Sequence, residues 1–313
     1  MTTPLIHAVM DGLTSVPKRL PPWLLYDADG AQLFEQITQL PEYYLTRVER
    51  LILERHATAM VTRAGPGATV VELGAGTASK TAILLRAMLA RQERVTFHPL
   101  DICETSLRTA VAELSERYAQ LRVEPLVASY QDSLECIRTV PAPRLVLFLG
   151  SSIGNLEPQE ARTFLLQLRG CLAEGDSLLV GTDLAKKSAT LLPAYADARG
   201  VTAQFNKNIL ARINRELGGH FDLEKFQHVT VWNAKASRME MHLESLMVQE
   251  IPIDGLGITV RFNKGERLHT ENSYKFTLPV VQDLLTNAGF LLEESWQDER
   301  GWYAVSLARA RGC

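Results

Sequence analysis

Val70-Val71-Glu72-Leu73-Gly74-Ala75-Gly76-Thr77-Ala78-Ser79-Lys80-Thr81 is the stretch on which the reading of this chain turns. Val70, Val71 and Leu73 suit a strand covered on both faces. Gly74 and Gly76 permit a tight turn and let a ligand approach the backbone closely. Thr77 or Ser79 is placed to cap a helix running through Ala82-Ile83-Leu84-Leu85-Arg86-Ala87-Met88-Leu89. Strand, glycine turn and helix start in that order form a nucleotide-cofactor signature; a plain βα turn in a sheet protein is the simpler alternative.

The dinucleotide version of the signature needs a third glycine, in the pattern G-x-G-x-x-G. Ser79 occupies that place, and a carboxylate, Glu72, stands two residues before the first glycine. The next predicted strand, 95–100, ends at Asp101, where a carboxylate can accept both hydroxyls of a ribose. E-x-G-x-G followed by an acid after the next strand resembles the class I S-adenosylmethionine (SAM) methyltransferases. In those enzymes the glycine loop lies against the methionine part of the cofactor.

From residue 69 the chain alternates predicted strands (70–73, 95–100, 122–127, 144–149, 177–182) with helices (81–91, 105–118, 160–172). This rhythm implies an α/β fold with a mostly parallel sheet and helices on both faces. Ligands in such sheets bind outside the carboxyl ends of the strands, here the loops after Leu73, Leu100 and Leu149. After Asp183 the rhythm changes. A helix leads towards Leu217-Gly218-Gly219, and 228–232, 238–249 and 257–262 read as antiparallel strands. In Met239-Glu240-Met241-His242-Leu243-Glu244 the apolar residues alternate with polar ones, as in a half-buried strand. A helix at 279–288 and strands at 290–296 and 303–309 then resume the first pattern, and class I methyltransferases commonly close their sheet with such an antiparallel pair.

Before the glycine turn, 10–16 reads as a short helix stopped by Pro17 and Pro21-Pro22. Leu33, Phe34, Ile37 and Leu40 recur at helical spacing. Thr46, with Glu49 three residues on, has the form of a capping box for a third helix whose apolar face is Leu51, Ile52, Leu53 and His56.

With 313 residues, of which 46% are hydrophobic, the chain can bury one large core or two linked ones. A net charge of −3 gives no electrostatic case for nucleic acid or an anionic membrane. No apolar run is long enough to span a bilayer, and residues 1–7 lack the regions of a signal peptide. Cys103, Cys136, Cys171 and Cys313 show no C-x-x-C spacing, so free thiols and a cytoplasmic location are expected. The seven histidines form no H-x-x-x-H pair, and no metal site is expected.

Further motifs are spread over nearly the whole chain. They include Pro17-Lys18-Arg19-Leu20-Pro21-Pro22, Tyr26-Asp27-Ala28, Leu40-Pro41-Glu42-Tyr43-Tyr44 and Phe148-Leu149-Gly150-Ser151-Ser152-Ile153-Gly154-Asn155-Leu156. Gly181-Thr182-Asp183-Leu184, Gly200-Val201-Thr202-Ala203, Glu271-x-Ser273 and Lys275-Phe276 complete the set. Together with the glycine turn, they resemble the histidine-specific methyltransferase family, the SAM-dependent L-histidine Nα-methyltransferases of ergothioneine biosynthesis. The resemblance implies three methyl transfers to the α-amine of L-histidine, giving hercynine, and a class I Rossmann-like fold with two domains. The SAM-binding domain would comprise 49–183 and 276–313. A substrate-binding domain would comprise 1–48 and the insertion 184–275, with the amino acid bound between the two.

The resemblance also implies roles for individual residues. Tyr26 would lie close to the reacting amine as the catalytic residue, and Tyr43 would help bind the imidazole. Asn155 and Tyr195 would hold the substrate carboxylate, Glu271 and Ser273 would read the imidazole nitrogens, and Met241 would line the pocket. The cofactor would be held by Gly74, Gly76, Lys80 and Asp101, with Ser129 and Tyr130 at the place of the family's acidic-aromatic pair. These residue types suit the tasks. A carboxylate accepts an imidazole N–H and a hydroxyl donates or accepts, while neutral donors grip a carboxylate without adding charge. The chain departs from the family pattern at Asn272, Tyr274 and Ser129, with Asp132 near the missing acid. A related N-methyltransferase of another amino acid or an aromatic amine, and a SAM-binding module without catalysis, remain the alternatives. The expected partner is a small-molecule substrate, acted on by a monomer.

Overall fold

A computed structural model describes residues 3–312. Cys313 and the first two residues of the N-terminal stretch, read above for thiols and for signal-peptide features, lie outside the described residues. In chain order the helices are α1 (Thr3–Thr14), α2 (Ala28–Thr38), α3 (Tyr44–Ala64), α4 (Thr81–Leu89), α5 (Glu104–Arg117), α6 (Tyr130–Thr139), α7 (Pro158–Cys171), α8 (Ser188–Tyr195), α9 (Val201–Leu217) and α10 (Leu278–Asn287). The strands are β1 (Thr69–Leu73), β2 (Val95–Asp101), β3 (Leu121–Val123), β4 (Leu126–Val127), β5 (Arg144–Phe148), β6 (Ser177–Asp183), β7 (Phe226–Asn233), β8 (Arg238–Ser245), β9 (Gln249–Ile253), β10 (Ile258–Phe262), β11 (Arg267–Tyr274), β12 (Phe290–Gln297) and β13 (Tyr303–Ala310).

The chain forms two compact units. The larger comprises Leu45–Lys186 and the chain from Lys275 onward. Its sheet runs β12-β13-β6-β5-β1-β2-β3, with β4 also paired to β2. All neighbours are parallel except around β13, which runs antiparallel to both β6 and β12. That order is the class I methyltransferase sheet. Successive strands depart in opposite directions from β1, so the loops after β1, β2 and β5 surround a topological switch point. β5 and β6 are buried at every residue, as a strand covered by helices on both faces must be.

The smaller unit comprises the residues up to Tyr44 together with Lys187–Tyr274. It has an antiparallel sheet β11-β8-β7, a β9-β10 hairpin, and α2 packed on α9. Met239, Met241 and Leu243 of β8 are buried while Glu240 and His242 between them are half-buried, the alternation read from the sequence.

Three local expectations differ from the structure. Neither Thr77 nor Ser79 caps α4; Lys80 is its N-cap residue and makes no side-chain capping bond. The Thr81 hydroxyl next to it donates instead to Glu72 Oε1 at 2.6 Å. The capping box at Thr46 and Glu49 does not form, because α3 already begins at Tyr44 and carries Glu49 into its interior. Leu51, assigned to the apolar face of that helix, is 60% exposed, whereas Ile52 and Leu53 are buried. Among the described residues, no helix is long and apolar enough to cross a membrane.

Candidate active site

The glycine turn is built as its chemistry requires. Gly74 and Gly76 hold φ of 68° and 53°, the left-handed region that side chains disfavour. Gly74 N and Ala75 N donate to Leu100 O at 2.8 and 3.0 Å, binding the turn to the end of β2. A Cβ added at Gly76 would meet nothing within 4 Å, so the backbone there faces open space that a ligand can fill. Asp101, at the end of β2, accepts Gly76 N at 2.8 Å through Oδ2 and Cys103 N at 2.9 Å through Oδ1. Burial raises its pKa, and the N–H groups of Cys103 and Gly76 oppose the rise. The N–H of Ile102 also bonds this carboxylate, and the lone-pair capacity that is left can accept a ribose hydroxyl. The site therefore fits a nucleoside cofactor.

Glu72 sits beneath the turn, 3% exposed, and its Oε2 has no hydrogen-bond partner. Burial pushes its pKa up to about 8; the Thr81 hydroxyl and the Lys80 charge oppose this, and Glu49 and Asp101 add to it. At pH 7 the unfolded chain ionises this carboxyl while the folded chain keeps it neutral, so folding becomes less favourable as pH rises above the unfolded value. Its stabilisation is complete below the unfolded value of 4.5 and is lost as pH rises through about 8. Without ligand, the parent protein is expected to lose on the order of 4 kcal/mol between pH 4.5 and 8 relative to Glu72→Gln. Urea unfolding of both proteins across that window measures it; parallel pH curves would contradict the assignment.

The remaining cofactor-side residues lie in the same unit. Tyr130 packs on Phe148 and Phe164, with ring centroids 5.3 and 5.8 Å away. Its hydroxyl stands 3.1 Å from where a Gly74 Cβ would be. Ser129 caps α6 by accepting Asp132 N, and donates its hydroxyl to Asp132 Oδ2 at 2.7 Å. Asp132 is thus tied to the position where the acid is missing. Asn155 ends a short 3-10 turn, Ser152–Asn155, and is half-buried. That turn follows β5 through Gly150 and Ser151, and Ser151 Oγ accepts the N–H of Asp183 at 3.0 Å.

The residues expected to serve the amino acid, apart from Asn155, lie in the smaller unit. An edge-on aromatic chain links Tyr26 to Phe34 (5.6 Å), Phe34 to Tyr43 (6.1 Å) and Tyr43 to Tyr195 (6.5 Å). The Tyr195 hydroxyl shares a hydrogen bond of 2.8 Å with Ser273 Oγ. Glu271 pairs with Met241 and Ser273 with Met239 across the β11-β8 ladder, so all four share one face. Glu271 and Ser273 are each 6% exposed, an unusual burial for a carboxylate. Tyr195 is held from behind: its carbonyl accepts the Thr230 hydroxyl at 2.9 Å and contacts His228 Nε2 at 2.8 Å. Asn272 and Tyr274 lie on the other face of β11. Asn272 Oδ1 shares a 2.8 Å hydrogen bond with His269 Nε2, and the Tyr274 hydroxyl accepts from Arg238 at 2.6 Å. These two of the three departures from the family pattern therefore sit on the face opposite Glu271 and Ser273.

Glu49, expected as the capping-box partner of Thr46, belongs instead to the interior of α3. It is wholly buried, ion-paired with Lys80, and hydrogen-bonded to Gly150 N and Tyr303. Its signal was an acid on an apolar stripe, four residues after Leu45 and three or four before Ile52 and Leu53.

A family model described as "Histidine-specific methyltransferase, SAM-dependent" matches residues 5–310. The chain belongs to this family. SAM is accordingly its methyl donor, and the chain is an N-methyltransferase. Over 300 residues it is 44% identical to "Histidine N-alpha-methyltransferase" of Mycolicibacterium smegmatis, covering 96% of this chain and 93% of the other. It is 30% identical to "Ergothioneine biosynthesis protein 1" of Neurospora crassa, across 94% of this chain but 34% of that longer protein. It is 25% identical to "4-dimethylallyltryptophan N-methyltransferase" of Epichloe festucae var. lolii, across 94% of this chain and 92% of the other.

Proposed function

We propose that this chain transfers three methyl groups from SAM to the α-amine of L-histidine, giving hercynine for ergothioneine biosynthesis. The observation that carries the choice of histidine is the pair Glu271 and Ser273, buried on one face of β11. A carboxylate on that face can accept a ring N–H from the substrate. An imidazole offers such an N–H, and a phenyl ring does not.

When bound, SAM supplies a methyl group activated by its sulfonium. The chain's own residues bind and orient. Asp101 holds the ribose, and the turn at Gly74 and Gly76 admits the methionine portion. Asn155 and Tyr195 grip the substrate carboxylate, Tyr43 packs on the imidazole, and Met241 forms the apolar wall. Tyr26 accepts a hydrogen bond from the amine and directs its lone pair, and the proton the amine loses before each transfer goes to water, the Tyr26 hydroxyl passing on its own proton if it takes up the amine's. Catalysis rests mainly on alignment. After the third transfer the nitrogen has no lone pair, and the reaction stops. The same account makes the enzyme a cytoplasmic monomer acting on a free amino acid, with neither nucleic acid nor membrane as partner; the net charge of −3 agrees with it.

Asn155→Ala is expected to raise KM for histidine by about tenfold, the loss of a hydrogen bond to a charged group. Histamine, which lacks the carboxylate, is expected to be a poor substrate and indifferent to the change. Steady-state kinetics with both amines tests this, and equal sensitivity of the two would remove Asn155 from the carboxylate. A second reading, an aromatic amino acid larger than histidine as substrate, is favoured by one observation, the resemblance to the dimethylallyltryptophan enzyme.

A further inference from the structure

The carboxylate of Glu49 sits in a built socket. It is 0% exposed, although it is an acid in the middle of a helix. Gly150 N donates to it at 2.8 and 3.0 Å, Tyr303 Oη donates at 2.7 Å, and Lys80 Nζ pairs with it as an ion. Gly181 of β6 makes room: a Cβ there would collide with Glu49 Oε1 and stand 2.7 Å from the Tyr303 hydroxyl. Four elements thus converge on one carboxylate, namely α3, the start of α4, the loop after β5, and β13. Lys80 closes the glycine turn, and its Nζ lies 3.5 Å from where a Gly150 Cβ would project. Its ammonium therefore stands between the loops after β1 and β5, on the side of the sheet where a class I cofactor binds.

SAM carries one more positive charge than S-adenosylhomocysteine (SAH), the product left when the methyl departs. An ammonium beside its site would repel SAM selectively. We infer that Glu49 is a positioning residue that fixes Lys80 and the Gly150 loop and cancels the Lys80 charge, so that the site accepts the cationic donor as readily as its neutral product. The inference rests on SAM binding at the glycine turn.

Calorimetry of SAM and SAH binding to the full chain, with thermal melts to verify folding, tests it. Glu49→Gln keeps the shape and removes the charge. It is expected to weaken SAM about tenfold more than SAH, because the Lys80 charge beside the site is then no longer cancelled. Lys80→Gln removes the opposite charge and is expected to shift the SAM:SAH affinity ratio towards SAM, even where both bind more weakly. Tyr303→Phe removes a hydrogen bond without charge and is expected to leave the ratio unchanged. If Glu49→Gln fails to fold, the Lys80→Gln ratio decides alone. A merely structural Glu49 would weaken both ligands alike, and equal losses, or a ratio that falls in Lys80→Gln, would overturn the inference. Should Asp101→Ala leave SAM binding unchanged in a folded protein, the binding site itself is wrong; a loss there with no change of ratio in the Glu49 variant refutes the role of Glu49 alone.

Discussion

Asp101→Ala is expected to fold and to lose SAM affinity by about a hundredfold. The substitution removes acceptors for two ribose hydroxyls, and hydrogen bonds to a charged group contribute roughly 1.5–3 kcal/mol each. It also releases Gly76 N and Cys103 N, which Asp101 holds at 2.8 and 2.9 Å, so the turn loses a support from within. Asp101→Asn separates the two effects, because an amide oxygen still accepts one of the N–H groups while the charge is gone. Asn is expected to fall between Asp and Ala. Calorimetry with SAM, alongside melting curves, gives the answer. Unchanged affinity in a folded Ala variant would contradict the assignment, and tight binding of NAD to the parent would replace the cofactor altogether.

The second large effect concerns substrate choice. Glu271→Ala is expected to lower kcat/KM for histidine by about two orders of magnitude and to narrow its advantage over tryptophan. A site built to hydrogen-bond a polar ring rejects an analogue that cannot return those bonds far more strongly than an apolar pocket rejects a missing methylene. Glu271 is buried beside Met241, so truncation leaves an apolar cavity that suits a larger, less polar ring. A uniform loss for all amino acids would mean that Glu271 supports the strand and does not read the substrate.

Much of the catalytic fold was legible because its signals are local. Strands buried on both faces, such as β5, appear as continuous aliphatic runs, and the glycine turn with Asp101 after the next strand marks the cofactor side. The face of β11 was legible too: period-two alternation separates Asn272 from Glu271 and Ser273. α6 and α8 were not anticipated. α8 contains Pro193, which masks its helical pattern, and α6 lies in a polar stretch whose few apolar residues include Leu134 and Ile137. The third predicted strand divides into β3 and β4 on either side of Pro125, which has no N–H for the ladder. Glu49 was misread for a different reason. A threonine three residues before a glutamate has the form of a capping box, but the partners that decide its role, Lys80, Gly150, Gly181 and Tyr303, are 31 to 254 positions away in sequence. Only folding brings them together.

The most direct test of the account is a competition. Histidine, tryptophan, tyrosine and phenylalanine are mixed with SAM and the parent enzyme, and the products are read by mass for one, two or three added methyl groups. The account predicts that histidine is consumed first and accumulates as the trimethylated betaine. If tryptophan or tyrosine is methylated ahead of histidine, the histidine assignment is wrong and the aromatic-amine alternative takes its place.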